Sequence, residues 1–104
     1  MKKVGIYFKL KPGAKEAYQK AHRMIWPGMR DVLDEAGICN YSIWNFEDKL
    51  FAYYEVKDEK RMERILSQSK IYNRWRDWME EFVYQDVSGT KEWSMEMVFY
   101  HKGI

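Results

Sequence analysis

The stretch YQKAHRMIWP, residues 18–27, holds the residues best suited to move protons. His22 is the better placed of the two histidines. An unperturbed imidazole titrates at about pH 6.5, so it can give and take a proton near neutrality. Tyr18 lies four positions before it, one helical turn away on the same face. Pro27 follows in the same run. It lacks a backbone donor and clashes with the preceding turn, so the helix is expected to kink or break near Arg23 to Trp26. A break there frees backbone polar groups beside His22.

Two readings of His22 stand at this point. It is either a core histidine satisfied by one hydrogen bond, or an acid–base group facing a cavity. Tyr41, Asn40 and Trp44 on an opposing strand offer polar-tipped groups that can reach the same space. Core packing is a complete alternative for Tyr18, Tyr41 and Trp75. Other chemistries have less support. His22 and His101 lie on different elements, and no HxxxH or CxxC spacing suggests a metal. There is no glycine-rich phosphate loop and no GxSxG elbow. Cys39, the only cysteine, reads as a small buried residue at a strand start, and His101 as a surface residue beside the C-terminal tail.

The elements that must position these residues follow from periodicity. Val4, Ile6, Phe8 and Leu10 alternate with Gly5, Tyr7 and Lys9, which predicts a strand ended by Lys11-Pro12-Gly13. Residues 14–36 carry a helical stripe through Tyr18, His22, Ile25, Met29, Val32, Leu33 and Ala36, stopped by Gly37. Strands are predicted over 38–46 and 50–56, joined by a tight turn at Glu47-Asp48-Lys49. Asp58 reads as an N-cap. The helical run after it carries Met62, Ile65 and Leu66 and breaks near Ser67 to Ser69. A further run carries Tyr72, Trp75, Met79, Phe82 and Val83. A polar loop over 86–91 leads to a last strand over 92–100.

The order βαββαβ is the α+β, ferredoxin-like plan: a four-stranded antiparallel sheet with helices on one face. One such domain accounts for residues 1–104. Phe51 and Tyr53 oppose Ala52, Tyr54 and Val56, so the strands are apolar on both faces and a monomer would expose a large patch. A homodimer with the open sheet faces together is expected, a dimeric α/β barrel. A net charge of +2, spread along the chain, argues against nucleic acid as the main partner. No apolar run is long enough for a membrane span or a signal peptide, and the lone cysteine fits a reducing compartment, so a cytoplasmic protein is expected.

Several motifs together resemble the L-rhamnose mutarotase family over nearly the whole chain. They are Tyr18, Gln19, His22 and Ile25-Trp26-Pro27; Gly37 with Asn40-Tyr41-Ser42-Ile43; Phe51-Ala52 and Glu55; Arg74-Trp75 with Met79; and Val98-Phe99-Tyr100. The resemblance implies a dimeric ferredoxin-like isomerase that interconverts the α and β anomers of a deoxysugar without metal or cofactor. It implies His22 as proton donor, with Tyr18 and Tyr41 touching the sugar. The family's motif has two adjacent tryptophans that help hold the sugar. Here Trp75 keeps the first position and Arg76 takes the second. Arg76 replaces a stacking surface with a charged hydrogen-bonding fork, which alters which sugar fits and can open the site to an acidic one.

On this reading, His22 protonates the ring oxygen and retrieves the proton on closure. The base acting on the anomeric hydroxyl is unassigned, with a water or a freed backbone carbonyl as candidates. Two other readings use the same scaffold. One is a cofactor-free monooxygenase or haem-degrading protein. The other is a non-catalytic small-ligand-binding protein.

Overall fold

The computed structural model of the protein covers residues 1–104. The elements in chain order are β1 (Lys2–Lys9), α1 (Lys15–Arg23), α2 (Met29–Glu35), β2 (Ile38–Phe46), β3 (Lys49–Val56), α3 (Glu59–Gln68), α4 (Lys70–Met79) and β4 (Trp93–Met95). The four strands form one antiparallel sheet in the order β2-β3-β1-β4. The ferredoxin-like plan expected from the sequence is therefore the fold found. No helix is long and apolar enough to cross a membrane.

Local chemistry explains the breaks. The helical stripe of residues 14–36 is cut into α1 and α2 by the segment Met24 to Gly28, around Pro27. Gly28, at φ 90°, takes the left-handed conformation that starts α2 anew. The side chain of Asp58 accepts from the backbone N–H of Lys60 and Arg61 and so caps α3. Ser69 ends α3 and caps α4 by accepting from Tyr72 N–H. The two-residue turn Glu47-Asp48 closes the β2–β3 hairpin.

One side of the sheet packs on the helices. Leu50 and Val56 are fully enclosed, each worth roughly 1.5–3 kcal/mol of apolar burial. Leu50 packs with Leu10, Ala14 and Tyr18, while Val56 packs with Ala36, Ile38 and Met62. A third cluster joins Ala21, Met29 and Trp75.

The other side is aromatic and open. Tyr7, Phe51 and Trp93 form a row across three strands, with ring centroids 5.6 and 5.9 Å apart. Phe46 and Met95 stand exposed on this side as well.

The last strand differs from expectation. Only Trp93–Met95 pair with β1, instead of the predicted 92–100. Residues 96–100 keep the apolar composition of a strand but have no neighbouring strand to bond, and Val98 and Phe99 are exposed.

Candidate active site

The helix-facing side of the sheet is not filled everywhere. Between it and the helices lies an open cavity of about 680 Å³. That is ample for a monosaccharide. Tyr18 and His22 from α1, Tyr41 from β2, and Trp75 and Arg76 from α4 all line it. The five site residues expected from the sequence are thus brought together from three elements.

The imidazole is held from two directions. His22 Nδ1 lies 2.9 Å from the Tyr18 carbonyl oxygen. A carbonyl only accepts, so Nδ1 carries the hydrogen and Nε2 is the nitrogen free to exchange a proton. The ring lies 4.3 Å from that of Tyr18, and Trp75 meets it edge-on at 5.2 Å. Trp75 is itself locked edge-on against Trp26 and Trp78, which stack on each other at 5.4 Å and 3°. Trp75 is only 6% exposed, so most of its surface braces the imidazole and the core rather than the open space. Burial lowers the His22 pKa below its usual value, and the bond to Tyr18 partly opposes this.

The tyrosines are kept protonated. Burial pushes the Tyr18 hydroxyl well above the ordinary phenol range, with further contributions from Tyr41 and Glu92. Tyr41, although 44% exposed overall, is raised likewise, by burial first, then by Tyr72, Glu92 and Tyr54. Such hydroxyls donate and accept hydrogen bonds but do not ionise near neutrality. Tyr72 also lines the cavity; burial raises it, the Arg76 charge pulls it back, and Glu92 raises it again. Arg76 lies one turn after Tyr72 on α4 and lines the same cavity.

Tyr41 reaches the cavity through an irregularity in β2. Cys39 pairs with Glu55 and Ser42 with Tyr53, so Asn40 and Tyr41 together oppose Tyr54 alone. This bulge shifts the alternation by one residue. Asn40 absorbs it at φ 50°, a conformation that asparagine tolerates better than most residues. Tyr41 then turns to the helix side, its ring 5.5 Å from Tyr54. Asn40 does not enter the cavity as expected; its amide donates to the Glu55 carboxylate at 3.0 Å instead. Trp44 pairs with Phe51, so its ring falls on the open side of the sheet, 69% exposed and bonded to Ser42 Oγ, and it only borders the cavity.

Sequence reading missed several lining residues. Gln19 donates to Asn45 Oδ1 at 2.9 Å, tying α1 to β2 beside the cavity. Glu92 gave no signal because it opens the predicted last strand, where a single glutamate reads as an ordinary solvated residue. No group of three His, Cys, Asp or Glu side chains that could hold a metal ion occurs.

Comparison with known proteins gives one consistent result. The family model for L-rhamnose mutarotase matches residues 3–101. The L-rhamnose mutarotase of Listeria monocytogenes serovar 1/2a is 40% identical over 92 residues, 86% of this chain and 88% of the relative. The Pectobacterium carotovorum enzyme of the same name is 38% identical over 95 residues, with 86% and 88% coverage. Among solved structures, the L-rhamnose mutarotase of Formosa agariphila superposes with a TM-score of 0.80 at 27% identity, covering 98% of this chain and all of that one. A putative antibiotic biosynthesis monooxygenase from Nitrosomonas europaea superposes with a TM-score of 0.64 at 18% identity, over 89% of this chain and 84% of that one, a likeness of fold alone.

Proposed function

The chain belongs to the L-rhamnose mutarotase family, isomerases that interconvert sugar anomers, and from that premise we propose that His22 is its proton-transfer group, acting on L-rhamnose or a closely related sugar. Mutarotation opens the ring, turns the C1–C2 bond and closes the ring on the other carbonyl face. Opening needs a proton delivered to the ring oxygen and another removed from the anomeric hydroxyl. The protonated imidazole delivers the first from Nε2 and recovers it on closure. The observation that carries this reading is the bond from Nδ1 to the Tyr18 carbonyl, which commits Nε2 to the exchange. One well-placed acid–base group contributes roughly 10²–10⁴-fold.

Tyr18 and Tyr41, held protonated, hydrogen-bond the sugar hydroxyls. Trp75 keeps the imidazole in place and supplies an apolar edge. Arg76 borders the sugar where a ring would otherwise cover it. The test is anomer exchange by saturation-transfer NMR on L-rhamnose. Wild-type protein is expected to accelerate exchange above the buffer rate, and His22→Ala to lose most of that gain. A His22→Ala variant as fast as wild type would reject the assignment.

The working unit on this reading is a homodimer of single 1–104 domains in the cytoplasm. The open aromatic face supports it: Tyr7, Phe51 and Trp93 are continuous across the sheet, and Phe46 is 64% exposed beside them. A second copy packed face to face would cover this area isologously. The free thiol of Cys39 is compatible with a reducing cytosol.

A further inference from the structure

Two carboxylates line the cavity, Glu80 and Glu92, and they differ in what holds them. Glu80 is taken by an ion pair with Lys91. Glu92 has no hydrogen bond or ion pair to any protein group, although its neighbours are firmly tied. The Asp86 side chain accepts from the N–H groups of Ser88 and Thr90, at 2.9 Å each, and rigidifies the loop. Lys91 anchors the loop to the end of α4 through Glu80. Trp93, on the other side, enters the sheet opposite Tyr7.

This tethering holds Glu92, itself exposed to solvent, at the open edge of the cavity. Trp93 packs on Tyr7 on the open side of the sheet. Side chains alternate along an extended segment, so Glu92 falls on the helix-facing side, level with Phe8, the residue after Tyr7. Its field reaches the hydroxyls of Tyr18, Tyr41 and Tyr72, which come from α1, β2 and α4. Glu92 thus lines the same cavity as Tyr18, Tyr41 and Tyr72.

We propose that Glu92 is the base that removes the proton of the anomeric hydroxyl, working with His22 across the cavity. The inference rests on the mutarotase reading and supplies the base that reading lacks. The step balances within the protein. Glu92 takes the O1 proton as the C1–O1 bond becomes a carbonyl. The C1–O5 bond breaks, and O5 takes the proton of His22 Nε2. The open aldehyde turns about C1–C2. On closure O5 attacks the other face, its proton returns to His22, and O1 regains the proton held by Glu92. Both residues end as they began.

The test measures kcat and KM for L-rhamnose anomer exchange in wild type, Glu92→Gln and Glu92→Ala. Glu92 carries no structural bond, so both variants are expected to melt with wild type. The amide is expected to lower kcat by roughly 10²–10⁴-fold while KM moves little. Added acetate, a carboxylate small enough to enter the space left by Glu92→Ala, is expected to restore rate in proportion to its concentration. A structural role gives no such rescue. The assignment is overturned by a Gln variant that keeps its kcat, by a loss confined to KM, or by an Ala variant that acetate does not revive. Wild-type exchange no faster than buffer would instead sink the mutarotase reading, and this base with it.

Discussion

His22 is bonded through Nδ1 to the backbone carbonyl of Tyr18, the same residue whose ring packs beside the imidazole. One turn of α1 thus fixes the tautomer, the rotamer and a hydroxyl next to the site. The bond is made to main chain, so it survives any change of the Tyr18 side chain. Tyr18→Phe is expected to leave the His22 tautomer intact, readable from its ring 15N shifts. It should raise the sugar KM by about 5–10-fold, the worth of one lost hydrogen bond of roughly 1 kcal/mol or slightly more. Shifts reporting the other tautomer would show that the side chain, not the carbonyl, sets the geometry.

The pH behaviour follows from burial of the imidazole. Burial holds the His22 pKa below 6.5, so the acid form is scarce at neutrality. If His22 acts as the acid, kcat rises as pH falls through its lowered pKa and declines above it. Stability runs the other way. The unfolded chain binds this proton first, so the stability from burying a neutral ring is complete above about pH 6.5 and is lost as pH falls through the folded pKa. Proton NMR of the His22 ring and thermal melts over pH 5–8 check both signs. A kcat that rises with pH while stability also rises would make neutral His22 the base.

The N-cap of α3 separates stability from activity. Asp58 lies at the start of a helix outside the cavity and bonds two backbone N–H groups. Asp58→Ala is expected to cost about 1 kcal/mol, a Tm fall of roughly 4–8 °C for a domain of this size, with kcat unchanged. A matched loss of kcat in the folded enzyme would mean that α3 helps shape the site.

How far the sequence discloses this molecule depends on the range of the interaction. Pro27, Asp58 and the Glu47-Asp48-Lys49 turn act within a few residues, and the break, cap and hairpin they predict are all present. Tyr18 and His22 share a face because helical spacing alone dictates it. Tyr41 was legible as a candidate, but its companion Asn40 was not separable from it, because the bulge depends on how β2 registers with β3. The strand at 92–100 reads as nine residues because its composition is apolar. How much of it pairs depends on neighbours that a composition cannot name. Glu92 is silent for the same reason: only the loop ties and the register with β1 turn an ordinary glutamate toward the cavity.

The open aromatic face predicts an association that one substitution disrupts. Phe51 lies on β3, a central strand, with its ring against Tyr7. Phe51→Lys is expected to convert a dimer to a monomer in light scattering coupled to size exclusion, because two facing copies would bury like charges against each other. The far-ultraviolet circular dichroism of the variant should stay that of the wild type. A wild-type protein that runs as a monomer at all concentrations would remove the dimer. A dimer that persists in the Phe51→Lys variant would move the contact to another face.

Arg76 is expected to bias the choice of sugar. It borders the cavity with no ion-pair partner, and its charge reaches the hydroxyl of Tyr72. A guanidinium offers a fork that matches a carboxylate, whereas an indole offers a flat apolar face that suits a deoxysugar methyl. Arg76→Trp should therefore lower KM for L-rhamnose and raise it for a hexuronate carrying a carboxylate at the methyl position. A charged hydrogen bond is worth about 1.5–3 kcal/mol, so the ratio of the two specificities is expected to shift by roughly 10–150-fold. Since Arg76 is assigned no proton, kcat on the better substrate should hold. Saturation-transfer measurements on both sugars, with wild type and variant side by side, give the ratio directly. A ratio that does not move would place Arg76 outside the sugar's reach and return the choice of substrate to the tyrosines.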